Sequence, residues 1–325
     1  MKSSNLLALA AVLTVSCGIL NDYKNKKDEA SSSLSTVVTP ANDQSCRDLI
    51  KEQNTSNSYI LKVLSYNVKS LPFPAPGSLD RKKRMKRIGN QLAKRREEGN
   101  QPDIVLLQEL FKSKSNLIGK AKYPYIQRGP EEGNKMLSSG IFTLSELPIT
   151  YEYGQAYPED ACGDWDCKAN KGFTHSKIQI PGAPEAINIL NTHMQALREQ
   201  SQPREAQIRM VAKYIEENIP KDELVIFAGD FNLKIDRPGY PIFKELTGFT
   251  DVGEYCTTND NCQAVKLAEQ EDGIFYQHTN DHHFGRVGKT IKAEPLCIDR
   301  ATNPKGKKGE DSDHMGYEAH YRVTW

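Results

Sequence analysis

A chain of 325 residues, 38% hydrophobic and 8% aromatic, is long enough to bury one large core or two modest ones. Its 43 basic and 42 acidic side chains leave a net charge of +1, a balance that argues against a bulk coat for nucleic acid. Strand-like runs that continue as far as Trp325 favour a single core.

At the amino end, Met1 and Lys2 precede an apolar stretch from Leu6 to Val15. That stretch is too short to span a bilayer, so residues 1–17 read as a signal peptide. The string LTVSC at 13–17 is similar to a bacterial lipobox, with Thr14 where such boxes usually carry leucine. Export is expected, either as an outer-membrane or cell-surface lipoprotein through Cys17 or as a secreted protein. Loss of residues 1–16 would remove Lys2 and leave 42 basic against 42 acidic side chains. Residues 18–58 are rich in Ser, Thr, Asn, Asp and Lys with almost no apolar periodicity, and read as a flexible tether. A folded domain over 59–325 follows.

An exported chain with an even set of cysteines beyond Cys17 points to disulfides. Cys162 with Cys167 and Cys256 with Cys262 would close the small loops CGDWDC and CTTNDNC, which leaves Cys46 and Cys297 to pair. Zinc is the rival reading, but the paired CxxC spacing is missing.

Short runs rich in Val, Ile and Leu read as buried strands, and each ends on a polar residue. ILKVLSY ends on Asn67, IVLLQ on Glu109, INILNT on His193 and LVIFAG on Asp230, with Asn232 two residues further on. Between them, Met85, Ile88 and Leu92 predict a helix from Asp80 to Glu98, with Asp80 as N-cap and Gly99 as stop. Ile208, Val211 and Ile215 predict a second from Arg204 to Asn218, ended by Pro220. The first helix carries nine Lys and Arg between Arg81 and Arg96, either a solvated face or a surface for anionic lipid or a nucleic-acid backbone. His278, His282 and His283 read as a polar loop, with an extra metal site as the alternative. Strands alternating with helices, plus strand runs without them, predict an α/β fold. Two mixed sheets would pack face to face with helices outside.

Strand ends that converge on one edge would gather an acidic, histidine-bearing cleft, suited to a hard cation and to proton transfer. Metal-assisted hydrolysis of a phosphate ester is the expected chemistry. Glu109 is the expected metal ligand, since a carboxylate at a buried strand end is otherwise costly. Asn67 would support the metal or the phosphate. Asp230 and Asn232, two apart on an extended chain, would point the same way. His314 in EDSDH is the expected general base with Asp313 as its neighbour, and His193 would donate to the phosphate or the leaving oxygen.

YN at 66–67, QE at 108–109, TH at 192–193, GDFN at 229–232, DGIF at 272–275 and SDH at 312–314 fall in order along the chain. Together they resemble the signature of the endonuclease/exonuclease/phosphatase superfamily, over roughly Tyr59 to Trp325. Within that span CGDWDCKANKGFTHSKI, NTHMQA and IPKDELVIFAGDFN are similar to secreted bacterial sphingomyelinases, which are Mg2+-dependent phospholipases C. The resemblance implies a DNase I-like four-layer sandwich. It also implies a Mg2+ cofactor, replaceable by Mn2+ or Co2+, on Glu109, Asn67, Asp230, Asn232 and His314. Asp230 would position the attacking water, Asn232 would donate to developing charge, and Lys171 in NKGF would meet the phosphate. An aspartate near DGIF or SDH, Asp272 or Asp313, would orient the catalytic histidine. The implied reaction is sphingomyelin to ceramide and phosphocholine, on a phospholipid in a membrane, by a monomer with no protein partner. An exported Mg2+-dependent nuclease acting on nucleic acid is the alternative. In one respect the chain departs from the pattern: membrane-active members carry an aromatic hairpin between DxIF and SDH, where this chain offers only Phe284.

Overall fold

Strands in chain order are β1 (Ser58–Asn67), β2 (Ile104–Gln108), β3 (Tyr125–Arg128), β4 (Phe142–Ser145), β5 (Ile149–Ala156), β6 (Gly172–Ile178) and β7 (Ile187–His193). They continue with β8 (Val225–Asp230), β9 (Thr250–Asp251), β10 (Gln263–Val265), β11 (Asp281–Arg286), β12 (Lys292–Arg300) and β13 (Tyr317–Thr324). Helices are α1 (Cys46–Leu49), α2 (Arg81–Glu97), α3 (Lys114–Ala121), α4 (Ser201–Asn218), α5 (Gly239–Thr247) and α6 (Val252–Thr258), with a 3₁₀ turn over Asp164–Lys168. The structure is a computed structural model that describes residues 45–50, 53–75, 78–265, 279–301 and 311–325, all within the unit Ala41–Trp325. The expected signal segment, most of the expected tether, Asp272 with the DGIF motif, and His278 lie outside the described residues.

The strands form two mixed sheets, as expected. A seven-stranded sheet runs β10-β12-β13-β1-β2-β4-β3, and a six-stranded sheet runs β5-β6-β7-β8-β11-β9. The alternation of side chains along each central strand explains why the sheets stack. Leu61 and Val63 of β1, Ile104 and Leu106 of β2, Ile187 and Ile189 of β7, and Ile226 and Ala228 of β8 share one core between the sheets. The opposite parity, Leu64, Tyr66, Val105 and Leu107, packs on Met85, Ile88 and Leu92 of α2 and Leu117 of α3. Leu190, Val225, Phe227 and Phe284 pack on Ile208, Val211 and Ile215 of α4 and Phe243 of α5. Four layers result.

Each sheet is built around one parallel pair, β1 with β2 and β7 with β8. Beside each runs an antiparallel neighbour, β13 against β1 and β11 against β8. The carboxyl ends of the parallel pairs therefore meet the amino ends of β11 and β13. Gly229 makes this edge tight: its φ is +155°, and a Cβ there would stand 2.3 Å from the Thr192 carbonyl oxygen.

Three sequence expectations change. Residues 45–50, inside the expected tether, are anchored, because Cys46 is bonded to Cys297 of β12 and its N–H donates to Asp299 Oδ2 at 2.8 Å. His282 and His283 form neither a polar loop nor a metal cluster. They are buried in β11, where His282 bonds Asp251 Oδ2 (2.8 Å) and the Leu233 carbonyl (2.6 Å), and His283 bonds the Tyr317 carbonyl (3.0 Å). Phe284 is fully buried and offers nothing to a membrane. The two disulfides expected from the spacing, Cys162–Cys167 and Cys256–Cys262, and the Cys46–Cys297 pair expected by elimination are all present, which removes the zinc reading.

Candidate active site

The inner parity that carries Leu61 and Val63, Ile104 and Leu106, Ile187 and Ile189, and Ile226 and Ala228 turns polar as the strands reach their carboxyl ends. Ser65, Gln108 and Asn191 come first, and Gln108 Nε2 bridges the two sheets to Asn191 Oδ1 at 2.8 Å. One step further out stand Asn67, Glu109, His193 and Asp230, facing one another from both sheets.

Asn67 holds this group together. Its Nδ2 donates to Glu109 Oε1 at 3.0 Å and to Asp230 Oδ2 at 2.9 Å, while its Oδ1 accepts the Lys69 N–H at 3.0 Å. The amide orientation follows from those partners, because two carboxylates demand a donor. Asn67 thus clamps two carboxylates through its amide nitrogen. Glu109 and Asn232 both adopt left-handed backbone, φ +55° and +50°. Asparagine tolerates this region, whereas for glutamate it is strain of the kind kept at working sites, about 1–3 kcal/mol.

Asp230 is fully buried opposite Asp281 in the β8–β11 register. Burial and the Asp281 carboxylate push its pKa up to about 7, against the pull of His314, Asn67 and Lys171. Asp230 Oδ1 also accepts the Asn232 N–H at 2.9 Å, and the Asn232 side-chain amide donates to the Met194 carbonyl at 3.0 Å. His193 Nε2 lies 3.5 Å from Asp230 Oδ2 and 3.8 Å from Glu109 Oε1. Neither approach is an ion pair, since burial, with Lys171 and His314 nearby, holds the imidazole well below its ordinary pKa. Lys171, almost fully buried, donates to His193 Nε2 (3.0 Å), Asp166 Oδ2 (2.7 Å) and the Met194 carbonyl (2.9 Å).

His314 closes the cluster from the segment before β13. Its Nδ1 bonds Asp281 Oδ2 at 2.8 Å and its Nε2 stands 3.8 Å from Asp230 Oδ2. Burial opposes the charged ring, but the Asp281 and Asp230 carboxylates outweigh it and raise the pKa well above the ordinary value. Asp313 takes no part in this contact, because its carboxylate turns to Lys69 Nζ at 2.5 Å. The structure thus brings together Asn67, Glu109, Lys171, His193, Asp230, Asn232 and His314, and leaves Asp313 at the rim. Asp281 and Asp166 were missed. Asp281 would have been legible had DHHF been read as a strand antiparallel to LVIFAGD.

Two overlapping triads could hold a cation, Glu109 with His193 and Asp230, and Asp230 with Asp281 and His314. Asp281 Oδ1 is buried with no hydrogen-bond partner among the described residues, so carboxylate oxygen is left over. The donor set fits a hard divalent ion held by Glu109 and Asp230. The Nδ1 of His314 is committed to Asp281, which leaves Nε2 as its free ring nitrogen.

The profile of the Endonuclease/Exonuclease/phosphatase family matches residues 64–301. "Sphingomyelinase" of Mycobacterium tuberculosis is 30% identical over 232 residues, 66% of this chain and 44% of that protein. "Sphingomyelinase C 2" of Leptospira interrogans is 30% identical over 306 residues, 84% and 48%. "Phospholipase C" of Staphylococcus aureus is 26% identical over 271 residues, 72% and 77%. The chain spans less than half the length of the mycobacterial and leptospiral relatives. Among solved structures, beta toxin from Staphylococcus aureus with bound magnesium ions aligns with a TM-score of 0.60 at 20% identity, covering 81% of this chain and 99% of that one. D. rerio TDP2 complexed with single strand DNA product aligns at 0.59 and 22% identity, covering 81% and 98%. At such identity the likeness is one of fold. The profile covers most of the sandwich and the carboxyl ends of β1, β2, β7 and β8, and the chain belongs to the endonuclease/exonuclease/phosphatase family.

Proposed function

We propose that this chain is a Mg2+-dependent phosphodiesterase that hydrolyses a phospholipid headgroup ester, sphingomyelin to ceramide and phosphocholine. The observation that carries the reading is the meeting of Glu109, Asp230 and the Asp281–His314 pair where the ends of the two sheets converge. The names of the curated relatives support the lipid substrate. The first helix weighs against the nuclease alternative: Arg81, Arg84, Arg87, Arg95 and Arg96 of α2 all bond to the chain's own carbonyls, carboxylates or hydroxyls.

Glu109 and Asp230 would hold the ion, with Asn67 pulling their oxygens toward one point. When bound, the cation neutralises charge on the phosphoryl oxygens. In its neutral form His314 would accept the proton of the attacking water at Nε2, while Asp281 accepts Nδ1–H and fixes that tautomer. Such assistance is worth roughly 10²- to 10⁴-fold. Lys171 supplies fixed positive charge beside the neutral His193, where the phosphate would lie. The P–O bond to the lipid alcohol breaks as the water oxygen bonds phosphorus, and the departing oxygen takes a proton from solvent to leave as the alcohol.

The test uses the chain from Ser45 onward, so that Cys46 is retained, on sphingomyelin vesicles and on supercoiled plasmid, each with Mg2+ and with chelator. Phosphocholine release that needs the metal and His314, without plasmid nicking, is expected. Nicking without release would assign the nuclease reading instead.

A further inference from the structure

The ring closed by Cys162–Cys167 has no part in the chemistry above, yet it presents the most exposed aromatic of the described residues. Trp165 is 77% exposed on the 3₁₀ turn Asp164–Lys168, with Lys168 Nζ 3.6 Å from its ring centroid. Two neighbouring loops also expose apolar side chains, Met136 at 72% and Leu197 at 49%. Scattered singly, such residues would mean little. These three sit on loops that hydrogen bonds join into one assembly. The Ala196 N–H donates to Asp166 Oδ2 (2.6 Å) and the Gly163 N–H to Gln195 Oε1 (2.9 Å). The Leu137 N–H donates to the Lys168 carbonyl (3.0 Å) and the Asn170 N–H to the Leu137 carbonyl (2.9 Å). The Asp166 carboxylate that joins the loops also takes Lys171 Nζ at 2.7 Å, and Lys171 reaches His193. The apolar tips are therefore tied directly to the rim of the active site.

We propose that Met136, Trp165 and Leu197 are an interfacial anchor that inserts into a zwitterionic phospholipid bilayer and seats the active site on its surface. The inference rests on the phospholipid reading of the site. An indole is suited to the boundary between headgroups and acyl chains, apolar in its body and polar at its N–H. Charge selects the bilayer type. The exposed charges of these segments are Glu131, Glu132, Asp164 and Glu199 against Lys168 and Arg198, with Lys135 half-buried beside Met136, a slightly acidic balance that gives anionic lipid and a nucleic-acid backbone no electrostatic attraction. The disulfide holds the turn in shape, so ordering it on the membrane costs little entropy.

Trp165 is one of two tryptophans, so Trp325→Phe leaves it as the sole indole. With chelator present to stop turnover, sphingomyelin–phosphatidylcholine vesicles should shift its emission to the blue, and brominated acyl chains should quench it. Trp165→Ser combined with Leu197→Ser should lower vesicle co-sedimentation about tenfold or more. The double variant should hydrolyse soluble bis(p-nitrophenyl) phosphate as the parent does. Unchanged emission on vesicles that carry the protein down, undiminished binding of the double variant, or its loss of soluble-ester hydrolysis would each overturn the anchor. So would a solution dimer that buries the indole in place of lipid. Failure of the phospholipid reading looks different: the parent would cleave the soluble ester and release no phosphocholine from vesicles.

Discussion

His314 takes its orientation from a carboxylate 33 residues earlier in the chain, while the aspartate beside it in sequence faces Lys69. The SDH residues lie in a bend ahead of β13 and the side chains of Asp313 and His314 diverge, so adjacency in sequence is a poor guide to contact there. Asp281→Asn should lower kcat about 10- to 100-fold with little change in KM, as loss of an orienting partner does. Asp313→Asn removes only a half-exposed ion pair, worth about 0–1 kcal/mol, and should cost far less. Comparing steady-state kinetics of the two variants checks this, and equal losses would contradict the assignment. Asn67, Glu109, His193 and Asp230 were legible because each interrupts an apolar run at its end. Asp281 was not, because DHHF looks polar. Its burial depends on His282 and His283 finding partners in Asp251, Leu233 and Tyr317, which no local pattern reveals.

The same contrast holds for elements. The apolar period of α2 was readable, and its bounds match to a residue or so, but the destinations of its cations were not. Arg95 spans to β13 and makes a bidentate pair with Glu318, at 2.6 and 2.9 Å. Burial opposes the Glu318 charge, yet the Arg95 guanidinium and the His320 ring hold its carboxyl well below the usual range. A depressed folded pKa gives stability that is fully present above the unfolded value of about 4.3 and is lost as pH falls toward the folded one. Glu318→Gln leaves Arg95 buried without its counter-charge and should cost about 3–5 kcal/mol at neutral pH. The gap between parent and variant should narrow below about pH 4, since the parent alone loses this contribution there. Urea midpoints at neutral and acid pH measure it, and a gap independent of pH would refute the linkage.

At the scale of the whole molecule, Cys46–Cys297 joins residues 251 apart and pins the short helix Cys46–Leu49 to β12, beside the β10 edge of the seven-stranded sheet. Replacing both cysteines by serine should lower stability by about 2–5 kcal/mol, through the freed unfolded chain. Parallel urea titrations of the oxidised parent, the reduced parent and the variant test this. An unchanged midpoint in the variant would count against it. Composition, periodicity and the order of strand-ending polar residues determined by themselves that this is an α/β sandwich with an acidic, histidine-bearing edge, because those signals are local and repeat every two or every 3.6 residues. Tertiary structure alone decided that Asn67 clamps two carboxylates, that Asp281 serves His314, and that five arginines of α2 bond back to the chain. Each of these contacts depends on sheet register and on segments distant in sequence, and no local pattern encodes that.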